Sequence, residues 1–117
     1  MIELSETFSF EAAHRIETTR PELGKIHGHS HGVIVTIQGE LQSKEGWLIE
    51  QSEFRRRVEY FLNKLDHSYL NEILENTTAE GIATHLLGVL RLTDWPKGIE
   101  VVSVEVSKTT TRARATR

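Results

Sequence analysis

The chain of 117 residues suffices for one domain around one core, and its 38% hydrophobic and 26% charged residues are ordinary for a globular protein. A formal net charge of -3 offers no general basic field to nucleic acid or an anionic membrane, and no apolar run approaches the ~18 residues of a membrane span. The absence of cysteine excludes disulfides, thiolate ligands and thiol nucleophiles, and MIELSETFSF lacks the cationic and apolar regions of a signal peptide, so a cytoplasmic protein is expected.

Ile2, Leu4, Glu6, Phe8 and Phe10 alternate with mostly polar neighbours, which predicts a first strand. A loop over about residues 15–25 contains Arg20-Pro21 and Gly24. Residues 26–41 read as extended again, with Val33, Val35 and Ile37 on one parity. A turn at Ser43-Lys44-Glu45-Gly46 precedes the short stretch Trp47-Leu48-Ile49. A helix is expected to begin near Ser52, a good N-cap, with Phe54, Val58, Phe61, Leu62 and Leu65 as its apolar stripe. Asp66-His67 stands where that stripe ends. Thr77-Thr78-Ala79-Glu80 matches a capping box, with Thr77 as cap and Glu80 at the third helical position. Ile82, Ala83, Leu86, Leu87 and Leu90 form the apolar face of this second helix. Pro96 and Gly98 end the connection to a final strand from residue 100 to about 109, with Val102, Val104 and Val106 on one face. Arg112, Arg114 and Arg117 alternate with small residues and read as a solvated tail.

Strands, then helices, then a strand predict an α+β domain with mainly antiparallel pairing and the helices on one face of the sheet. No repeat or linker divides residues 1–117. The sheet edges need cover, so oligomerisation is expected.

The chemistry gathers around histidines. His27 and His29 are two apart, so on a strand both imidazoles project from one face. Gly28 between them lets backbone pack closely. His14, after Phe10-Glu11-Ala12-Ala13, ends the first strand and joins them if the two strands pair. Three neutral nitrogen ligands with an open fourth position describe a catalytic rather than a structural zinc site. His31 shares their parity and competes as a ligand, ranked below His14. His85 is expected on the surface of the second helix.

The runs Phe10-Glu11-Ala12-Ala13-His14 and Ile26-His27-Gly28-His29-Ser30 resemble the metal motif of the 6-pyruvoyl-tetrahydropterin synthase family, and most closely its bacterial 6-carboxy-tetrahydropterin synthase branch. The match continues through Gly39-Glu40, Gly46-Trp47-Leu48-Ile49, Leu65-Asp66-His67-Ser68-Tyr69-Leu70-Asn71 and Thr78-Ala79-Glu80, over nearly the whole chain. The resemblance implies a T-fold subunit: a four-stranded antiparallel sheet with two helices on one face, three subunits closing a barrel and two trimers stacking into a homohexamer. It implies active sites between subunits, with zinc on His14, His27 and His29. It implies a lyase or synthase acting on a reduced pterin triphosphate, in pterin or queuosine biosynthesis. Asp66-His67 matches the family's proton-handling pair; read from the residues alone, it is a helix end where a cationic imidazole suits the dipole. Thr78 matches a residue that helps hold the pterin ring, and helix capping is its other reading. Glu80 is expected to cap the helix or support the pocket.

The chain departs from the family pattern at the presumed pocket. Leu23 stands where the family has its cysteine base, and neighbouring Glu22 is a candidate carboxylate substitute only if the loop shifts by one residue, since its spacing does not match that of the family branches with a glutamate near this point. Lys108 stands where the family has a glutamate that grips the pterin's amino edge. Sharing the parity of Val102, Val104 and Val106, it would point inward and favour ligand carbonyl or anionic groups, or pair with an acid such as Glu80. A strand that ends earlier would leave it in solvent. His31 replaces an aromatic residue, and Glu50-Gln51 an Asp-Phe pair. These departures leave open a paralogue with the same zinc site and another purine- or pterin-like substrate, or a non-catalytic ligand-binding hexamer.

Overall fold

The computed structural model describes residues 1–18 and 20–116. Its two long strands follow from their alternation. β1 (Ile2–His14) and β2 (His27–Gly39) pair antiparallel from Ile2 opposite Gly39 to His14 opposite His27. Phe8, Phe10, Ala12 and His14 point to the buried face of β1; His31, Val33, Val35 and Ile37 do so on β2. β4 (Glu100–Lys108) pairs with β2, β5 (Thr111–Thr116) with β4, and the two-residue β3 (Ser68–Tyr69) runs parallel to the end of β1. The strand order is β3-β1-β2-β4-β5.

α1 (Gln51–Leu65) buries Phe54, Val58, Leu62 and Leu65, and α2 (Ala79–Leu92) buries Ile82, Ala83, Leu86, Leu87 and Leu90. These stripes join the inward residues of the sheet in a single core, which fixes the helices on one face. Neither helix is long and apolar enough to cross a membrane.

Local details differ from the sequence expectations for identifiable reasons. α1 starts one residue before Ser52, because the Glu50 carboxylate accepts from the Glu53 N–H at 3.1 Å and caps the helix itself. Thr78, not Thr77, caps α2: its hydroxyl accepts from the Gly81 N–H at 3.1 Å, which puts Glu80 at the second helical position. A register shift between Thr36 and Ile37 sets Ile37 opposite Val101 and skips Val102. Val101 is therefore buried and Val102 only half-buried, so Val102 does not share the face of Val104 and Val106. Arg112 and Arg114 are on β5, not a tail; Thr109, at φ 52°, turns the chain back, and Ala113 and Ala115 pack against the core. Arg117 lies outside the described residues. The sheet thus has five strands rather than four. His85 is half-buried on α2.

Candidate metal centre

The β1–β2 register carries the inward alternation beyond the core and places histidines where aliphatics would otherwise continue. Ala12 lies opposite His29 and His14 opposite His27. The ring centroids of His14 stand 4.6 Å from His27 and 5.2 Å from His29, and those of His27 and His29 are 4.8 Å apart. One nitrogen of each ring lies within 4.8 Å of the other two. His14 is fully buried, while His27 and His29 are half-buried, so the cluster has a closed and an open side.

Backbone carbonyls set the tautomers. His14 Nδ1 lies 2.8 Å from the Thr77 carbonyl and His27 Nδ1 2.8 Å from the Lys25 carbonyl, so both Nδ1–H groups donate. That leaves Nε2 of each ring as the lone-pair nitrogen. In His14 this atom is buried without a hydrogen-bond partner. A buried lone pair on a ring whose opposite nitrogen is already hydrogen-bonded to a carbonyl fits a metal ligand held in place before the ion arrives. Burial, opposed by the Thr77 bond and helped by the charge of Lys108, lowers the His14 pKa to about 4; burial also lowers that of His29. His14 and His29 therefore favour the neutral form that binds metal. The donor set fits a divalent ion such as zinc.

His31 lies on the same face, fully buried, stacked on Phe10 with centroids 4.6 Å apart and planes 6° from parallel. Neither ring nitrogen has a partner, and burial lowers its pKa to about 4. It borders His14 and His29 but stands outside the cluster of ligand nitrogens. Lys108 extends the inward row of β4 and is half-buried. Its charge acts on His14, His29 and His31, and Glu80 faces it from the first turn of α2.

Asp66 and His67 are held elsewhere. The Asp66 carboxylate accepts from the Glu11 N–H at 2.8 Å and meets His67 Nδ1 at 2.9 Å. These contacts, the Glu11 bond first, lower the Asp66 pKa. His67 adopts φ 56°, and its N–H donates to the Glu11 carbonyl, which turns the chain from α1 onto the edge of β1. Its ring is 78% exposed, beside a groove lined by Glu11, Ala13, Gly28 and Ser30 of the outer sheet face and bordered also by Ala12 and His29. Among the described residues, the contacts of Asp66 are with Glu11 and His67 and not with the trio, although His67 and His29 border one groove. Glu22 is also apart: it is exposed and bound to Arg20 at 2.9 Å. Leu23 is half-buried in the same loop, where its carbonyl accepts from the Ile16 N–H.

Thr78 borders a groove with Arg15, Tyr69, Asn71 and Asn76, and its hydroxyl also donates to Asn76 Oδ1 at 2.6 Å. Sequence reasoning missed Thr77, whose carbonyl orients His14 and whose hydroxyl donates to the Arg15 carbonyl. A backbone acceptor leaves no signature in residue type.

The family model for 6-pyruvoyl tetrahydropterin synthase matches residues 3–117. A 6-carboxy-5,6,7,8-tetrahydropterin synthase from Synechocystis sp. is 34% identical over 91% of this chain and 85% of its own length. A dihydroneopterin monophosphate aldolase from Pyrococcus furiosus is 35% identical over 64% of this chain; the chain spans 62% of that relative's length. The 6-pyruvoyl tetrahydropterin synthase of Caenorhabditis elegans has the same fold, with a TM-score of 0.84 at 20% identity over 99% of this chain and 95% of that one.

Proposed function

The chain belongs to the 6-pyruvoyl tetrahydropterin synthase family, and on that premise we propose that it is a zinc-dependent lyase acting on the side chain of a reduced, phosphorylated pterin. The observation that carries this reading is the convergence of His14, His27 and His29, with the His14 Nε2 lone pair buried and unpaired. Bound zinc would supply Lewis acidity to the hydroxyls of the substrate side chain. Thr77 and Lys25 hold two of the rings in the metal-binding tautomer, and burial of His14 keeps water from its closed side.

The Asp66 carboxylate orients the His67 ring as a proton carrier. The pair makes no contact with its own trio, and in this reading the complete site takes Asp66 and His67 from a second copy. The elongated shape supports assembly: the radius of gyration is 15.4 Å, against about 13 Å for a compact chain of this length. The reading therefore includes a homohexamer of two trimers with sites between subunits. A cytoplasmic location and a place in pterin or queuosine biosynthesis rest on the resemblance alone.

One observation favours aldol cleavage over the synthase reaction. The chain has no cysteine, and Glu22 is tied to Arg20. The base this reading uses is the His67 imidazole, taking a proton from a side-chain hydroxyl. In aldol cleavage the base takes the proton of the second side-chain hydroxyl, the bond between the first two side-chain carbons breaks, and a proton returns to the first carbon. The likeness to the monophosphate aldolase supports the same choice.

The test is turnover of zinc-loaded protein with dihydroneopterin monophosphate and triphosphate, products read by mass spectrometry. A 6-hydroxymethyl-dihydropterin and a two-carbon aldehyde phosphate from the monophosphate would establish aldol cleavage. A carboxy- or pyruvoyl-tetrahydropterin from the triphosphate would establish the synthase reaction. No product from either, with zinc shown to be bound, would overturn the lyase reading.

A further inference from the structure

Lys108 ends β4 on the parity of Val104 and Val106, and one step past the Gly32–Ser107 pair the register sets it opposite His31. Among the described residues, no carboxylate lies within ion-pair distance of its ammonium and no hydrogen bond holds it. Glu80 is the acid that faces it, from an exposed position on α2. Beside it, His31 is fully buried with both ring nitrogens unpaired, its centroid 5.9 Å from His29 and 6.1 Å from His14.

A half-buried ammonium and a buried unpaired imidazole both carry a desolvation cost that a hydrogen-bonding ligand would remove. An ammonium only donates, so its complement is an oxygen with lone pairs. A carboxylate at the same place would only accept, and would take an amino group and a ring N–H instead.

We propose that Lys108 is a specificity-determining residue that binds an oxygen acceptor of the ligand, a ring oxo group at position 2 or a side-chain phosphate, next to the histidine trio. This rests on the pteridine reading above. His31 packs behind that position, fully buried and stacked on Phe10. The subsite therefore discriminates between ligands that differ only in an acceptor at this end.

The experiment is calorimetric titration of zinc-loaded protein with two matched pairs. Pterin and lumazine bearing the same 6-substituent differ at position 2, amino against oxo. Neopterin and its monophosphate differ by the phosphate. One charge-assisted hydrogen bond predicts that the oxygen-bearing member of at least one pair binds about tenfold tighter or more. The responsive pair identifies the source of the oxygen. Lys108→Met should abolish that preference and Lys108→Arg should retain it. If the ring pair is the responsive one, Lys108→Glu should reverse it. A wild-type protein indifferent to both pairs, or a Lys108→Met protein with unchanged ratios, overturns this assignment and leaves the lyase reading intact. Failure of every pteridine to bind, with zinc present, overturns both.

Discussion

Strand β2 performs two tasks along one face. In its second half Val33, Val35 and Ile37 are fully buried among the leucines of the helices. In its first half the same alternate positions are His27, His29 and His31: the Lys25 carbonyl holds His27, the Lys108 charge acts on His29 and His31, and His31 stacks on Phe10 at the border with the core. The backbone geometry is continuous, so the difference comes from what each half faces. Apolar neighbours make an alternating row into a core; carbonyls and an open side make it into a ligand set. Stability and chemistry should therefore be separable along a single strand.

The sharpest break is in the histidine half. His29→Ala should lower kcat/KM by at least about a thousandfold, roughly 4 kcal/mol of transition-state stabilisation. Zinc retention after dialysis should be lost, while the far-ultraviolet circular dichroism stays that of the folded protein. Ile37→Ala should do the reverse. It should cost about 2–5 kcal/mol in denaturant unfolding, as large-to-small changes in a packed core do, and leave zinc retention unchanged. Loss of metal in that variant would show that the two halves are not independent.

Asp66→Asn tests the Asp66–His67 pair. Turnover should fall about a hundredfold, with zinc retention unchanged, because the carboxylate touches Glu11 and His67 and none of the trio. A subtler test uses pH and metal-free protein. His14 and His31 have pKa values near 4 when folded, against 6.5 ordinarily. Between about pH 6.5 and 4 the unfolded chain therefore binds more protons, and stability should fall as the pH drops through that window. Thermal melting in chelator at pH 7.5 and pH 5 measures the slope, and His31→Phe should flatten it. Glu22→Gln should have the smallest effect, within about twofold on turnover, since its partner is Arg20 at the surface.

The sheet and its histidines were legible because alternation by two is written in residue type. Val33, Val35 and Ile37 announced the buried face, and the same parity carried His27 and His29 to it. The start of α2 was legible to within one residue, since adjacent Thr77 and Thr78 are equally good caps and only geometry chooses. The bulge at Val102 was not legible, because the shift arises from pairing with β2 and not from any residue of β4 alone. β5 was missed for a related reason: Thr, Arg and Ala alternation is weakly apolar, and the strand forms by pairing with β4. In the site, the trio's spacing was visible, but the Thr77 carbonyl and the placement of Asp66–His67 beside Glu11 depend on folding distant segments together.

The most direct test of the account is metal analysis of purified protein by mass spectrometry after dialysis against buffer with limiting zinc. One tightly held zinc per chain in the wild type, and none when His14, His27 and His29 are replaced together by alanine in a protein that still folds, is the predicted result. Zinc that is absent from the wild type, or that survives removal of all three imidazoles, would contradict it.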